Sequence, residues 1–204
     1  MLYTTIPKFL GAELNRELLD FADASRSNFL DTGVGVDSEV HTATRVSKRL
    51  SDLREYREKI ERRVLEKVPE LLEQLRMSRF SPTGCEIELV AHEDGAFYRR
   101  HIDVFTDKSR EKLRNDRLLT VVYYLFRQPK MFSGGELRLY PIPSISHKVD
   151  EYIDVAPEND VAVAFSSWVP HEVRPIRCSA GQFRDARFAI NCWVLRSHTA
   201  AQVI

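Results

Sequence analysis

Three residues in this chain are of types that act together on a metal ion: His101 and Asp103, two positions apart, and His171, seventy positions after the first. Two imidazole nitrogens and one carboxylate oxygen cover one face of an octahedral ion and leave about three positions open, a ligand set suited to Fe(II). Neutral imidazole binds such an ion well, and the carboxylate offsets part of its charge. One strand presents His101 and Asp103 together, because side chains at i and i+2 share a face. A His-x-Asp pair alone is a weak signal. Its surroundings strengthen it, with Phe97-Tyr98-Arg99-Arg100 leading into His101 and Trp168-Val169-Pro170 leading into His171.

Bringing His171 back to His101 requires several strands between them, and the second half of the chain supplies them. Glu86-Ile87-Glu88-Leu89-Val90-Ala91 alternates, and Leu118 to Leu125 is rich in β-formers. Ser133-Gly134-Gly135 reads as a turn before the short strand Glu136 to Tyr140, and Asp160 to Phe165, His171 to Ile176 and Arg187 to Val194 complete the series. Asp107 to Asp116 is a charged insert with a helical turn. On the last strand Arg187, Ala189, Asn191 and Trp193 share one face, while Phe188, Ile190, Cys192 and Val194 share the other. The first set suits a polar pocket and the second suits packing.

The first half is helical after a short opening strand. Leu10, Leu14, Leu18 and Phe21 recur at helical spacing, and Leu53, Tyr56, Ile60, Val64 and Val68 form a second stripe between solvated charges. Ser51 is the expected N-cap of that second helix, and Pro69 is expected to end it and open a short further helix over Glu70 to Met77. Asn28 to Val40 carries Gly33 and Gly35 with little periodicity; a surface turn and a lid over a site are the two readings.

Composition narrows the function classes. The 204 residues suffice for one domain with a sizeable core, and 30 Lys+Arg balance 30 Asp+Glu, which argues against a nucleic-acid partner. No run approaches the ~18 apolar residues of a membrane span. Pro7, Lys8 and Glu13 interrupt the opening stretch, so a signal peptide is not expected. Cys85, Cys178 and Cys192 cannot all pair and none lies in a CxxC, which points to a reducing compartment and a cytoplasmic location.

Residues 86–194 resemble the catalytic core of the 2-oxoglutarate- and Fe(II)-dependent dioxygenases, in the prolyl 4-hydroxylase-like branch. The pieces occur in the family's order: Gly95-Ala96-Phe97-Tyr98 ahead of His101-Ile102-Asp103, Arg117-Leu118-Leu119-Thr120 leading into Tyr123-Tyr124-Leu125, Gly134-Gly135-Glu136-Leu137, His171-Glu172-Val173, and Arg187-Phe188-Ala189-Ile190-Asn191-Cys192-Trp193. The resemblance implies an α+β, mainly β, chain. Its core would be a double-stranded β-helix of the jelly-roll, cupin-like kind over about 81–196. A helical part over about 1–80 would pack on one sheet, all within a single domain spanning 1–204.

The resemblance also implies a chemistry. His101, Asp103 and His171 would bind Fe(II), and 2-oxoglutarate and O2 would be consumed, with ascorbate a candidate further cofactor. Succinate and CO2 would be released as a substrate C–H bond is hydroxylated. Arg187 matches the arginine that holds the distal carboxylate of 2-oxoglutarate, Tyr124 aligns with a tyrosine bonding the same group, and Asn191 and Trp193 share the pocket face. Tyr123 points the other way, into the core. Related halogenases replace the carboxylate with a small residue, so Asp103 implies hydroxylation.

Two departures stand out. Sixteen positions separate His171 from Arg187, more than relatives show, which makes Arg184 a competitor for the anchor; the extra residues around Cys178 to Gln182 read as a longer hairpin with Gly181 in its turn. His92 stands where relatives carry a tyrosine, and either a cosubstrate contact or a surface role is open to it. The expected substrate is a prolyl or other residue in a peptide or protein. The alternatives are a free amino acid or small metabolite, whose carboxylate Arg45, Arg49, Arg99 or Arg100 could clamp, and a metal-binding barrel without turnover.

Overall fold

In a computed structural model the chain is described over residues 1–32, 42–106, 113–141, 151–179 and 181–197. Two amphipathic helices form its scaffold. Helix α1 (Ala12–Ala24) buries Leu18, Leu19 and Ala22, and α2 (Tyr56–Gln74) buries Ile60, Val64, Val68, Leu71 and Leu72. These stripes lie against Leu89, Leu119, Val121, Tyr123, Phe188, Ile190, Cys192 and Val194, so the helices cover one face of a sheet. No helix among the described residues is long and apolar enough to cross a membrane.

Helix α2 departs from expectation at both ends. Ser51 does not cap it. Arg54 takes a left-handed φ of 49°, and the Asp52 carboxylate accepts its N–H at 3.0 Å, so the chain turns before the helix begins. Nor does Pro69 end it, because α2 runs through this residue to Gln74 as one element. Proline forfeits one backbone hydrogen bond, but Val64, Val68, Leu71 and Leu72 keep one continuous buried stripe across it. The Pro69 side chain is exposed and packs nothing away. Pro69→Ala is therefore expected to raise unfolding stability by about 1–2 kcal/mol, read as a higher midpoint in urea; a lower midpoint would assign Pro69 a packing role.

The strands, numbered along the chain, form two facing antiparallel sheets. The larger runs β1 (Tyr3–Pro7), β11 (Val161–Ser166), β7 (Asn115–Leu125), β14 (Arg187–Ser197), β5 (Gly84–His92), β4 (Lys48–Leu50), β2 (Leu30–Asp31). The smaller runs β10 (Ile153–Val155), β9 (Leu137–Leu139), β12 (His171–Val173), β6 (Phe97–His101), β3 (Arg45–Val46). A ribbon of β8 (Ser133–Gly134) and β13 (Ile176–Arg177) lies beside them. This is the expected mainly β, double-stranded β-helix with its helices on one sheet.

Between the sheets a second core gathers Val122, Tyr124, Leu137, Leu139, Val163, Phe165, Val169 and Ala189. Alternation along β7 and β14 thus divides the work: one set of side chains meets the helices and the other faces the smaller sheet. Tyr123 and Tyr124 show the division. Tyr123 turns outward and its hydroxyl bonds Asn15 of α1 at 2.6 Å and Asp160 at 3.0 Å, tying helix to sheet. Of the Asn28–Val40 stretch, Leu30 and Asp31 form β2 and Thr32 is buried; residues 33–40, with both glycines, lie outside the described residues, as do 107–112 of the charged insert.

Candidate metal centre

His171 and His101 face each other as direct partners across β12 and β6. This cross-strand register brings together two residues seventy positions apart, with ring centroids 4.2 Å from each other. Asp103 lies just past the end of β6 rather than within it. Its N–H donates to the Ser167 carbonyl, and Thr120 of β7 donates to its Oδ2 at 2.7 Å. These ties fold the chain inward after His101, so the buried carboxylate meets both rings. One ligand atom from each of the three residues lies within 4.8 Å of the others.

The tautomers follow from the hydrogen bonds. Nδ1 of His101 lies 2.8 Å from the Arg99 carbonyl and Nδ1 of His171 lies 2.9 Å from the Val169 carbonyl. A carbonyl only accepts, so each Nδ1 carries the proton and each Nε2 offers a lone pair. Those nitrogens stand 3.7 Å and 3.6 Å from the Asp103 carboxylate oxygens. Burial, reinforced by His171, pushes the His101 imidazole down to about 3, which keeps it neutral. Burial would raise the Asp103 carboxyl, but His171, His101 and the Thr120 hydroxyl outweigh it and hold the group below its usual value. Two neutral nitrogens and one carboxylate, aimed at a common point, are a donor set that fits Fe(II).

The cluster opens into a cavity of about 290 Å³ lined from both sheets. At one end stands Arg187, 1% exposed, stacked over the Tyr124 ring at 4.7 Å. Its Nη1 donates to His92 Nδ1 at 3.1 Å and the guanidinium lies against the Tyr124 hydroxyl, while its Nε makes no hydrogen bond of regular geometry among the described residues. No carboxylate among the described residues lies within ion-pair reach of it. A buried guanidinium without an anion is costly, and an anionic ligand would relieve it. The cavity wall thus fits the distal carboxylate of 2-oxoglutarate. Tyr124 is fully buried behind Arg187, where burial pushes its phenol up.

The remaining expected residues fall at different points. Arg184 is exposed, in a short 3-10 turn over Phe183–Asp185, and does not line the cavity. His92 has no surface role. It is buried, and burial followed by the charges of Arg187 and Arg45 holds its imidazole well below the usual value. Asn191 lines the cavity but gives its amide to Glu88 at 3.2 Å. Trp193 lies under the Arg117 guanidinium at 4.0 Å, and its indole N–H, without a hydrogen bond of regular geometry among the described residues, helps hold the Asp103 carboxyl down. Arg45 and Arg49 reach the cavity; Arg45 is paired with Glu88 at 3.1 Å, and Arg49 stands 3.9 Å from the same carboxylate.

Thr120 went unremarked in the sequence as a partner for Asp103, although parity with Tyr124 on β7 puts it on the cavity face. The pairing of Glu88 with Arg45 had no such signal, since their contact joins two sheets.

One backbone position is needed for Arg187 to sit as it does. Gly135 has φ 73°, and a Cβ there would stand 2.7 Å from Arg187 Cδ and 2.8 Å from Ile176 Cγ1. Gly135→Ala is expected to cost about 1–3 kcal/mol of stability through overpacking and backbone strain. It should also raise the KM for 2-oxoglutarate, because the guanidinium is pushed from its place. Parent-like values of both in melting and steady-state assays would show that the strand shifts without strain.

Comparison with known proteins agrees with this geometry. Residues 87–195, just over half of the chain, match the profile of the 2OG-Fe(II) oxygenase superfamily. An uncharacterized PKHD-type hydroxylase of Synechocystis sp. is 31% identical over 197 residues, covering 94% of this chain and 62% of that protein. The chain therefore spans less than two thirds of that relative's length. In fold, it superposes on a Pseudomonas putida prolyl-4-hydroxylase with a TM-score of 0.67 at 24% identity, covering 96% of this chain and 92% of that one. A Trichoplax adhaerens prolyl hydroxylase, solved with a hypoxia inducible factor peptide fragment, gives 0.65 at 24% identity over 94% and 82% of the two chains. With the profile laid over the strands β5 to β14 that enclose the donor cluster, this chain belongs to the 2OG-Fe(II) oxygenase superfamily.

Proposed function

We propose that the chain is a 2-oxoglutarate-dependent hydroxylase acting on a prolyl or other residue within a peptide or protein. The observation that carries this reading is the buried Arg187, with no carboxylate within ion-pair reach among the described residues, lining the same cavity as His101, Asp103 and His171. Those three residues would hold Fe(II). When bound, the metal with 2-oxoglutarate and O2 supplies the oxidising equivalents, one oxygen atom passing to succinate and one to the substrate as CO2 leaves.

The chain's own contribution is binding, orientation and exclusion of water. Arg187 and the Tyr124 hydroxyl bind the distal carboxylate by charge-assisted hydrogen bonds. Thr120 keeps Asp103 turned toward the two imidazoles, and Ser167 Oγ, 3.0 Å from Thr120 Oγ1, steadies that hydroxyl in turn. Tyr98, Phe105 and Trp193 line the wall and limit the water that reaches the centre.

A peptide substrate is supported by the fold shared with prolyl hydroxylases, one of them solved with a peptide, and by half-exposed Trp168 shortly before His171. The polar wall of Glu88, Arg45 and Asn191 favours the second reading, a free amino acid or small polar metabolite. Three buried unpaired thiols support a cytoplasmic setting. Succinate release in the presence of Fe(II), 2-oxoglutarate and either a mixture of proline-containing peptides or free proline separates the readings. Peptides alone should stimulate release. Stimulation by free proline alone would move the substrate to the second class, and metal binding without turnover would leave a non-catalytic barrel.

A further inference from the structure

His101 is held by more than its bond to the Arg99 carbonyl. The Tyr98 ring stacks on it, centroids 3.5 Å apart and planes 19° from parallel. Residues three apart on a regular strand face opposite ways. Here a register shift lets His171 pair with His101 and Val173 with Tyr98, and this bulge turns both rings to one side. The imidazole fills one face of Tyr98, so the Arg45 guanidinium, 4.6 Å from the same centroid, takes the other.

Arg45 is fixed in turn. Nη2 donates to Glu88 Oε1 at 3.1 Å and Nε to Ser47 Oγ at 3.0 Å, and Ser47 Oγ lies 2.8 Å from the hydroxyl of buried Thr32. Arg45 belongs to the smaller sheet and Glu88 to the larger, both less than a tenth exposed, so their ion pair bridges the sheets beside the cluster. A cation over an aromatic face in a desolvated setting holds the ring firmly. Groups that orient a metal ligand without touching the metal commonly govern affinity.

We propose that Arg45 is a positioning residue for the metal centre: anchored by Glu88, it holds Tyr98 flat against His101 and so fixes the plane in which this imidazole meets Asp103 and His171. The proposal rests on reading the cluster as a divalent-metal site.

Co(II) titration of the full chain, followed by visible absorption without 2-oxoglutarate, tests both levels. Parent protein should take up Co(II), and His171→Ala should not; if the two behave alike, the metal-site reading falls and the proposal with it. Given parent binding, the double variant Arg45→Ala/Glu88→Gln removes both charges and strands neither. Its Co(II) Kd should rise by about 10–100-fold and its absorption band should shift, with the apo-protein melting near the parent. Arg45→Lys, which keeps a cation over Tyr98 within reach of Glu88, should recover most of the affinity. Tyr98→Leu leaves the ion pair intact and should reproduce the loss, which keeps the test decisive if the double variant fails to fold. Parent-like affinity and band in the double variant or in Tyr98→Leu would overturn the positioning role.

Discussion

His171→Ala is expected to leave no measurable 2-oxoglutarate turnover and no visible charge-transfer band from the anaerobic Fe(II)–2-oxoglutarate complex, and His101→Ala to do the same. Each imidazole is one of three donors within 4.8 Å, and with either removed two remain. No other His, Cys, Asp or Glu among the described residues joins the cluster to replace it. The ring of His171 also packs edge-on against Phe165 at 4.8 Å, so a melting curve of the apo-variant is the control for folding. A folded His171→Ala variant with normal turnover would remove the residue from the centre. Asp103→Gly should act differently. Hydroxylation should collapse, while two imidazoles and a vacated position admit chloride, detectable as a halide-dependent change in the Fe(II) spectrum.

Arg187→Ala should raise the apparent KM for 2-oxoglutarate by two or more orders of magnitude. The guanidinium is buried beside His92 and Tyr124, and removing it strands the incoming carboxylate, at several kcal/mol. Each tenfold corresponds to ~1.4 kcal/mol. Arg184→Ala removes an exposed side chain and should change KM by less than about threefold, since exposed charges contribute ~0–1 kcal/mol. Steady-state succinate assays on the two variants decide it. A large effect at Arg184 with a small one at Arg187 would show that the last strand had been read three residues out of register.

The pattern of the last strand was legible in the sequence because its alternation runs unbroken from Arg187 to Val194, with Phe188, Ile190, Cys192 and Val194 on the face that packs. The helical stripes were legible for the same reason. Helix ends were not. A left-handed Arg54 delays α2, and an exposed Pro69 is carried inside it by the packing on either side, both matters of tertiary context. The spacing of His101 and Asp103 suggested one strand, whereas Asp103 lies beyond it, held by Ser167 and Thr120 from elsewhere in the chain. Arg45 in isolation reads as a clamp for a substrate carboxylate or as one more solvated arginine. Its burial depends on Glu88, forty-three positions away on the other sheet, and no local pattern encodes such a pair.

The three-residue strand that carries His171 pairs with β9 in unbroken register but with β6 through an interrupted one, so the β6 seam is the less regular of its two edges. A divalent ion spanning His101 and His171 would act there as a removable rivet. Ligand that binds only the folded chain stabilises it by RT ln(1 + [L]/Kd), about 2.7 kcal/mol at a hundredfold excess over Kd. Metal content therefore becomes a hidden variable of handling. Preparations that differ only in chelator history would differ in shelf life and protease resistance.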